Sequence, residues 1–310
     1  MGILQRVADG VRWMGQLRVL SRSLDDAKIL SAKLLIRDLH QRGTLPRLAD
    51  AEFKVFSQFG DDGIIQYLIH ALGPLEARFI EFGVEDYGES NTRFLLRNDN
   101  WSGLVIDGSR DNVDRIRKGE DHWRHDLTAV AAFIDRDNIN ALFRKNGFSG
   151  PIGLLSIDID GNDYWVWEAI DSVEPTLVIC EYNAVFGGER AVAVPYQPAF
   201  QRTAVHFSNL YWGASLKALC LLAARKGFAL LGTNSAGNNA YFVRTDRLGP
   251  LRPISCEGGF VDSRFRESRD ESGRLTFLSR GARLRVIAAL PVIDVETNQT
   301  ICAGDLAPAN

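Results

Sequence analysis

Short apolar segments rich in β-branched residues alternate with helical patterns through the middle of the chain. Four of them are hydrophobic throughout instead of alternating with polar residues: FIEFGV (79–84), SGLVID (102–107), IGLLSIDI (152–159) and TLVICEY (176–182). Strands of this kind belong to parallel sheets that are covered on both faces. A weaker strand is expected near His122–Leu127. The pattern therefore predicts an α/β fold.

Helical periodicity occupies the region before the first strand and the gaps between strands. Before the first strand, helices are expected over Leu24–Gln41 and from Ala51 to about Leu72, with Gly43 and Pro46 separating them. The helices predicted between the strands are Ser90–Asn98, Asp111–Lys118, Ala129–Asn146 and Asp163–Ile170.

A helix and a hairpin close the alternation. Ser215–Lys226 is predicted to be a helix that ends at Gly227. The segments FALLGT (228–233) and NAYFVR (239–244) are predicted to pair around the turn Asn234–Asn238. Five parallel strands followed by a helix and an antiparallel hairpin outline the Rossmann-like sheet of class I methyltransferases. We therefore expect a seven-stranded, mostly parallel sheet of order 3-2-1-4-5-7-6 with its last strand antiparallel.

The same pattern divides the chain into three parts. Residues 1–72 form an N-terminal helical section, residues 73–245 the cofactor-binding sheet domain, and residues 246–310 a C-terminal extension of mixed pattern. Within the domain, residues 184–212 interrupt the alternation with aromatic residues and two prolines. A long irregular segment of this kind is expected to be a lid or substrate loop.

Composition narrows the class of protein. Of 310 residues, 45% are hydrophobic, which is ample for a core, and the net charge of −3 creates no basic field that would recruit nucleic acid. No apolar run approaches the ~18 residues of a membrane-spanning helix, and the amino terminus lacks the pattern of a signal peptide. The four cysteines lie 36 to 46 residues apart, which fits neither a disulfide framework nor a zinc site. We therefore expect a cytoplasmic protein with a small-molecule or glycan substrate. The sequence leaves the oligomeric state open, and a homodimer is one of the possible states.

The turn after the first strand is acidic and contains glycine. In open α/β sheets ligands bind beyond the carboxyl ends of the strands, where glycine lets the backbone approach closely. Glu85, Asp86 and Glu89 would repel the pyrophosphate of a dinucleotide. S-adenosylmethionine has no phosphate and carries a cationic sulfonium and ammonium. We therefore predict that this turn, with Glu81, Gly83 and Glu85, binds S-adenosylmethionine.

Further cofactor contacts are expected on both sides of this turn. Asp107 ends the second strand 24 residues after Gly83, where a carboxylate can accept hydrogen bonds from both ribose hydroxyls. Asn91 and Thr92 are additional candidates, and the adenine is expected near Asp126, after the third strand. The alternative is an ordinary turn of a doubly wound fold, with Asp107 capping the next helix.

Carboxylates also follow the fourth and fifth strands. Asp158 and Asp160 leave the end of one strand, and Glu181 and Asn183 leave the end of its expected neighbour. Such hard oxygen ligands suit Mg²⁺ or Ca²⁺, and we predict Asp158, Glu181 and Asn183 as metal ligands. The alternative is that Asp160–Asp163 forms only a turn and a helix cap. Whether a metal is bound stays open.

Two further features are candidates for the site. The polar segment Ser57–Gly63 precedes an apolar helix, so Asp61 or Asp62 is expected to cap it; the alternative places Gln58 and Asp61 beside the cofactor. His206 lies in the predicted lid and is a candidate general base, although an isolated histidine is also compatible with a packed or solvated position.

Taken together, these motifs are similar to those of bacterial FkbM-like methyltransferases. The similarity covers about residues 55–245 and is carried, in order, by SQFGDDGI, FIEFGVEDYGESNTRFLL, GLVIDGS, LLSIDIDGNDYWVWEAI, VICEYN, GASL and GNNAYFVR. The resemblance implies a Rossmann-like enzyme that uses S-adenosylmethionine, commonly an O-methyltransferase acting on sugars or glycan precursors.

The chain departs from the family at its acidic motifs. FkbM-like proteins generally have Asp-x-Glu/Gln-Gly-x-Glu where this chain has Asp158–Asp163. Related macrocin and rhamnose O-methyltransferases hold Mg²⁺ with an Asp-Gly-Asp motif and an acidic pair on the next strand. At the position of that pair this chain has Glu181–Asn183. This leaves metal dependence open. In the predicted reaction, Asp160 or His206 removes a proton from the acceptor hydroxyl.

Two other functions compete with methyl transfer. The pair Asp158-x-Asp160 matches the DxD pattern with which glycosyltransferases bind Mg²⁺ and a nucleotide-sugar diphosphate. The acidic turn at 85–89 disfavours that diphosphate. The other alternative is a non-catalytic accessory protein of polysaccharide biosynthesis that keeps the fold without the chemistry.

Overall fold

Ten β-strands lie within residues 3–307, the part of the chain that the structure, a computed structural model, describes. In chain order they are β1 (Arg78–Phe82), β2 (Ser102–Asp107), β3 (Leu127–Ala131), β4 (Gly150–Ile157), β5 (Val173–Glu181), β6 (Val192–Ala193), β7 (Phe228–Thr233), β8 (Asn239–Arg244), β9 (Pro291–Asp294) and β10 (Gln299–Cys302).

Seven of these strands form one sheet of order β3-β2-β1-β4-β5-β8-β7. The strands β1 to β5 run parallel, and β8 runs antiparallel to both β5 and β7. The short strand β6 belongs to a second sheet, so this order is the one that the sequence predicts. The predicted hairpin is also confirmed, since Leu230 pairs with Phe242.

Eleven α-helices occupy the described residues, and most of them connect or flank the strands of the large sheet. The long helix α1 has 40 residues, which corresponds to a length of about 60 Å. In chain order the helices are α1 (Ile3–Arg42), α2 (Asp61–Leu72), α3 (Arg93–Asn98), α4 (Arg110–Lys118), α5 (Glu120–Arg124), α6 (Ile139–Lys145), α7 (Asp163–Ala169), α8 (Arg202–Val205), α9 (Leu216–Arg225), α10 (Cys256–Gly259) and α11 (Arg280–Val286). None of the helices in these residues is long and apolar enough to cross a membrane.

The large sheet is buried on both faces, which explains its uniformly apolar strands. In β2, Leu104 and Ile106 join the core cluster on one face, whereas Val105 joins the cluster on the other. Successive side chains of a strand point to opposite faces, so a strand covered on both sides needs apolar residues at every position. The parallel pairing places the carboxyl ends of β1, β2, β4 and β5 along one edge.

The third strand differs from the sequence prediction. Residues Glu120–Arg124 are helical, and β3 covers Leu127–Ala131, a segment that the sequence assigns in part to a helix over 129–146. The observed helix α6 begins only at Ile139. Alanine favours helices, but here the segment pairs with β2, with Gly103 opposite Leu127. Tertiary pairing therefore overrides the local preference.

The predicted lid and the C-terminal extension pack against each other. Strand β6, from residues 184–212, pairs antiparallel with β9, and β9 pairs with β10. Apolar side chains from both segments share a third cluster, in which Phe186 and Trp212 meet Ile287 and Val292. Residues 184–212 therefore form part of a packed unit beside the sheet edge.

Candidate functional site

A pocket of about 370 Å³ opens at the carboxyl ends of β1, β2, β4 and β5. Its lining contains most of the residues that the sequence singles out, together with residues from the lid segment and from the β7–β8 hairpin. Among the lining residues are Gln58, Glu81, Gly83, Glu85, Asn91, Asp107, Phe133, Asp158, Asp160, Asn162, Glu181, Phe200, Arg202, Asn238 and Asn239.

Gly83 directly follows β1 and lies against the backbone of Asp158, the residue after β4. Its φ of +77° is in the left-handed region, and its N–H donates to the carbonyl of Ile106 at 3.0 Å. A Cβ atom at this position would lie 1.5 Å from the carbonyl oxygen of Asp158. Only glycine satisfies both conditions, because it has no Cβ atom. The turn after β1 is therefore held tightly against the end of β4.

Asp107 organises the two loops that follow β1 and β2. Its Oδ2 accepts from the Glu85 N–H at 2.8 Å, and its Oδ1 accepts from the Ser109 N–H at 2.8 Å and from Asn112 Nδ2 at 3.2 Å. A carboxylate has about four acceptor positions, so these bonds leave capacity for a ligand. The residue that caps α4 is Ser109, whose Oγ accepts from Asn112 N–H.

Glu81 fixes the acidic turn from inside. Its buried carboxylate accepts from Ser90 Oγ at 2.6 Å, from the Asn91 N–H at 2.8 Å, and from both the N–H and the Oγ1 of Thr92. Burial raises the pKa of Glu81, and the hydrogen bonds offset part of that effect. Asn91 also donates from Nδ2 to Ser156 Oγ at 3.1 Å. Thr92 is fully buried in this network and does not line the pocket.

Three carboxylates converge in the pocket. Oxygen atoms of Asp158, Asp160 and Glu181 all lie within 4.8 Å of one another. The pKa of Asp158 is raised well above its usual value by burial, then by the charges of Asp160 and Asp163. The pKa of Glu181 is raised well above its usual value by burial and by Asp158. The cluster therefore attracts a cation or a proton.

A clamped turn brings Asp160 into this cluster. Asp160 has a φ of +54°, and the turn around it is held by Asp163, whose Oδ1 accepts from the Ile159 N–H at 2.8 Å and whose Oδ2 accepts from the Gly161 N–H at 2.9 Å. Burial raises the pKa of Asp163 to about 6. The turn predicted over Asp160–Asp163 is therefore present, and it also positions the Asp160 carboxylate beside Asp158 and Glu181.

Arg202 is a site residue that the sequence does not single out. From α8 its Nη1 pairs with Asp160 Oδ1 at 2.8 Å, and its Nη2 lies 3.8 Å from Glu267 Oε2. Its Nε donates to the Asn209 carbonyl at 2.8 Å, and the guanidinium lies 4.8 Å from the centre of the Trp212 ring. Arg202 therefore connects the pocket, the lid segment and the C-terminal extension.

Asn183 is not placed to bind a metal. Its Oδ1 accepts from the Val185 N–H at 3.0 Å, and its Nδ2 donates to the carbonyls of Leu210 and Trp212, both at 2.9 Å. The side chain is buried and does not line the pocket. The amide of Asn183 therefore fixes the fold of the lid segment outside the pocket, and the carboxylate that lies beside Asp158 and Glu181 is that of Asp160.

Asp126 also lies away from the pocket. It directly precedes β3, at the amino end of that strand, because the strand begins five residues later than the sequence predicts. The residues that follow β3 at the pocket are Ala132, Phe133 and Ile134. Phe133 is exposed there. The carboxyl end of β3 therefore presents an aromatic side chain where the sequence predicts an aspartate.

His206 follows α8 but does not line the pocket. Its Nδ1 shares a hydrogen bond with Ser208 Oγ at 2.7 Å, and its ring lies 4.3 Å from the Phe207 ring, centre to centre. Burial lowers the pKa of His206. His206 is therefore packed against its neighbours outside the pocket. The carboxylates of Asp158, Asp160 and Glu181 lie inside the pocket and are the candidates for the general base.

The segment before α2 is divided between the pocket and the core. Gln58 lines the pocket and is exposed. Gly60 precedes α2, whereas the buried Asp62 accepts from the N–H groups of residues 55, 56 and 57. Asp61 accepts from Asn234 and Asn239 at 3.0 Å and from Tyr241. Both carboxylates therefore fix this loop, and neither acts as the expected helix cap.

Comparisons with known proteins concern the fold. No protein-family model matches the chain, and no curated protein matches it. Solved structures with a similar fold include the N-terminal domain of EvdMO1 with SAH bound (12% identity, 68% of this chain and 94% of that chain, TM-score 0.39). The O-methyltransferase from Bacillus cereus in complex with SAH is another (12% identity, 70% and 89%, TM-score 0.36), as is a SAM-dependent methyltransferase from Aquifex aeolicus (9% identity, 58% and 89%, TM-score 0.35).

Proposed function

We propose that the protein is an S-adenosylmethionine-dependent O-methyltransferase that methylates a hydroxyl group of a sugar or glycan precursor. The observation that carries the proposal is the acidic pocket at the carboxyl edge of a sheet with the methyltransferase strand order. The FkbM-like motifs support the same reaction, and the glycan substrate rests on that resemblance.

The charge of the pocket fits this cofactor. Seven of the described lining residues are acidic, whereas Arg202 is the one basic residue among them. Such a site attracts the sulfonium and ammonium groups of S-adenosylmethionine and repels a pyrophosphate. The close turn at Gly83 adds the backbone approach that a ligand needs at this edge. The residues present therefore fit S-adenosylmethionine better than a dinucleotide.

Each part of the cofactor has residues that would hold it. Asp107 would accept hydrogen bonds from the ribose hydroxyls, and Phe133 with Ile134 would pack against the adenine. Glu81, Gly83 and the rest of the acidic turn would face the cationic end. When bound, S-adenosylmethionine supplies an electrophilic methyl group.

The carboxylate cluster would act on the acceptor hydroxyl. A neutral hydroxyl is a poor nucleophile, and a positioned base typically contributes 10²–10⁴-fold to its reaction. The raised pKa values of Asp158 and Glu181 make these carboxylates stronger bases than exposed ones. Asp160 is the third acceptor, and Arg202 holds it in place at 2.8 Å. We assign proton removal to this cluster rather than to His206.

The same three carboxylates fit a divalent cation. Their oxygens lie within 4.8 Å of one another, and hard oxygen ligands are those that Mg²⁺ prefers. A bound Mg²⁺ would act as a Lewis acid and offset the mutual repulsion of the carboxylates. Asp158, Asp160 and Glu181 would hold it, without Asn183.

Ligand binding distinguishes the proposed methyltransferase from the glycosyltransferase alternative. We expect S-adenosylhomocysteine to bind in a calorimetric titration and a uridine diphosphate sugar with Mg²⁺ not to bind. Asp107→Ala removes two charge-assisted hydrogen bonds of roughly 1.5–3 kcal/mol each, so the affinity for S-adenosylhomocysteine should fall at least ~100-fold. Asp111→Asn, on the exposed side of α4, is the matched control and should bind normally. Binding of the sugar nucleotide alone would refute the proposal.

The catalytic assignment is tested by turnover on a mixture of glycan and nucleotide-sugar acceptors. Asp158→Asn and Glu181→Gln should lower the rate about 10²–10⁴-fold, whereas Glu168→Gln, exposed on α7, should not. Chelation with EDTA separates the two roles: a loss restored by Mg²⁺ assigns the metal, and unchanged turnover assigns base chemistry alone. Normal turnover in both carboxylate variants would show that the site is assigned wrongly.

A further inference from the structure

One face of the long helix α1 is apolar and open to solvent. Among the residues that the structure describes, seven of the thirteen exposed large apolar side chains lie on this one helix. They are Trp13, Val19, Leu20, Leu24, Leu30, Leu34 and Leu35, with exposed fractions between 46% and 66%. Isolated apolar residues at a surface need no explanation, but apolar surface concentrated in one place marks an interaction site.

A different face of α1 attaches the helix to the rest of the protein. Ala32 is buried in a core cluster with Phe56 and Phe94. Ile29 and Ile36, three and four residues away along the helix, pack against the same cluster. Side chains at this spacing lie on one side of a helix. The attachment therefore uses one side of α1, and the seven exposed apolar side chains are not part of it.

Four of the exposed side chains form a continuous line along α1, which we name the stripe: Trp13, Leu20, Leu24 and Leu34. They follow one another at intervals of 7, 4 and 10 residues, which are sums of alternating steps of three and four. Alternating steps of three and four residues are the spacing by which two helices pack together in a coiled coil. The stripe extends over about 32 Å of the helix. Its shape therefore fits a second helix.

The charges near the stripe favour a protein partner over an anionic lipid surface. A helix that lies on such a membrane is rich in Lys and Arg on its polar face. After Leu24, the exposed charges of α1 have both signs, because Asp26 and Asp38 accompany Lys28 and Lys33. An anionic lipid surface would repel the two aspartates, whereas a protein surface can accommodate both signs.

The apolar area of this face is sufficient for a dimer. At ~150 Å² for a fully exposed large apolar side chain, the seven exposed side chains of α1 together present about 600 Å² to solvent. Two copies that cover this face would bury about 1,200 Å², which is where stable protein–protein interfaces begin. The flanking polar residues add to this area. A second copy of the chain therefore supplies a partner of the required shape and size.

We propose that two copies of this chain pair through the stripe, each contributing the same face of α1 around a two-fold axis. An interface of this symmetry needs only one self-complementary patch on each copy. The pairing withdraws Trp13, Leu20, Leu24 and Leu34 from water. It does not depend on the methyl transfer proposed above, because no stripe residue lines the pocket.

Sedimentation of the full-length protein tests the pairing. We expect a dimer with a Kd of about 10 µM or tighter, equally stable in 0.15 M and 1 M NaCl because apolar contacts are not screened by salt. Leu24→Glu should weaken it at least ~100-fold, since it places two like charges in the contact. Leu24 is exposed in the single copy, so the helix content of the variant by circular dichroism should match the parent. Leu275→Glu, in the C-terminal extension and 49% exposed, is the matched control and should form the dimer normally. A parent chain that is monomeric at 100 µM, or an equal loss in both variants, would overturn the proposal.

Hydrogen exchange locates the contact on the chain. At 100 µM, peptides within residues 13–35 should exchange at least ~3-fold more slowly in the parent than in Leu24→Glu, whereas peptides of α2 should exchange equally in both. A dimer whose protection lies outside residues 13–35 would contradict the assignment to the stripe. The lipid alternative is tested with vesicles containing phosphatidylserine, to which we expect no binding. A monomeric parent chain that binds these vesicles, together with a Leu24→Glu variant that does not, would assign the stripe to lipid and refute the pairing.

Discussion

Replacing Gly83 with alanine tests the tight contact between the ends of β1 and β4. The φ of +77° at this position costs an L-residue roughly 1–2 kcal/mol, as a left-handed backbone generally does. In addition, the new Cβ would lie 1.5 Å from the Asp158 carbonyl oxygen and 2.7 Å from its carbon. Both are backbone atoms of the residue that directly follows β4 and cannot rotate away, so the overpacking adds about 1–3 kcal/mol. The expected total is roughly 2–5 kcal/mol of unfolding free energy.

Gly147 provides the matched control for this variant. Its φ is +78°, yet nothing lies within 4 Å of an added Cβ. Gly147→Ala should therefore lose only the conformational part, about 1–2 kcal/mol, in urea unfolding. The difference between the two variants measures the contact with Asp158, and Gly83→Ala should also lose binding of S-adenosylhomocysteine. Equal losses in the two variants would refute the close approach.

Three further predictions concern buried carboxylates. In EDTA, Asp158→Asn should raise the unfolding free energy by about 1 kcal/mol, because it removes one of the mutually repelling charges, and a lower Tm would contradict this. The pKa of Asp163 is about 6 in the folded state against 3.8 in the unfolded state. The stabilisation of the fold by its protonated carboxyl is therefore fully present below pH 3.8 and is lost as the pH rises through 6. Stability should thus fall by about 3 kcal/mol across that window in the metal-free parent, and pH titrations of Asp163→Asn should show a correspondingly smaller fall. Asp61→Asn should cost roughly 2–4 kcal/mol in urea, against less than about 0.5 kcal/mol for the exposed Asp246→Asn.

The sheet could be predicted because its determinants are local. Uniformly apolar runs identify β1, β2, β4 and β5, since a strand buried on both faces needs an apolar residue at each position. The failure at β3 has a local cause as well. Its sequence, LTAVA, is short and rich in alanine, and only its pairing with β2 makes it a strand. Local preference therefore could not place Asp126 relative to the pocket.

The site could be predicted only in part. Asp107 and Glu181 end strands and Asp158 directly follows one at the same sheet edge, so parallel topology alone brings them together. The roles of Asn183 and Arg202 depend on partners far along the chain: Leu210 and Trp212 for the former, Asp160 and Glu267 for the latter. Sequence spacing does not display such contacts. The signal that could have found Arg202 is its position as a basic residue inside the aromatic lid segment.

The buried hydrogen bonds of Asp61 have a consequence for the order of folding. Its partners Asn234, Asn239 and Tyr241 lie 173 to 180 residues farther along the chain. During synthesis, α2 therefore emerges from the ribosome long before the hairpin that satisfies its first carboxylate. Contacts of such sequence separation form late and slow folding. A nascent chain shorter than about 245 residues holds an unpaired carboxylate at the start of α2. The hydrogen bonds of Asp61 can therefore form only after the β7–β8 hairpin has been synthesised.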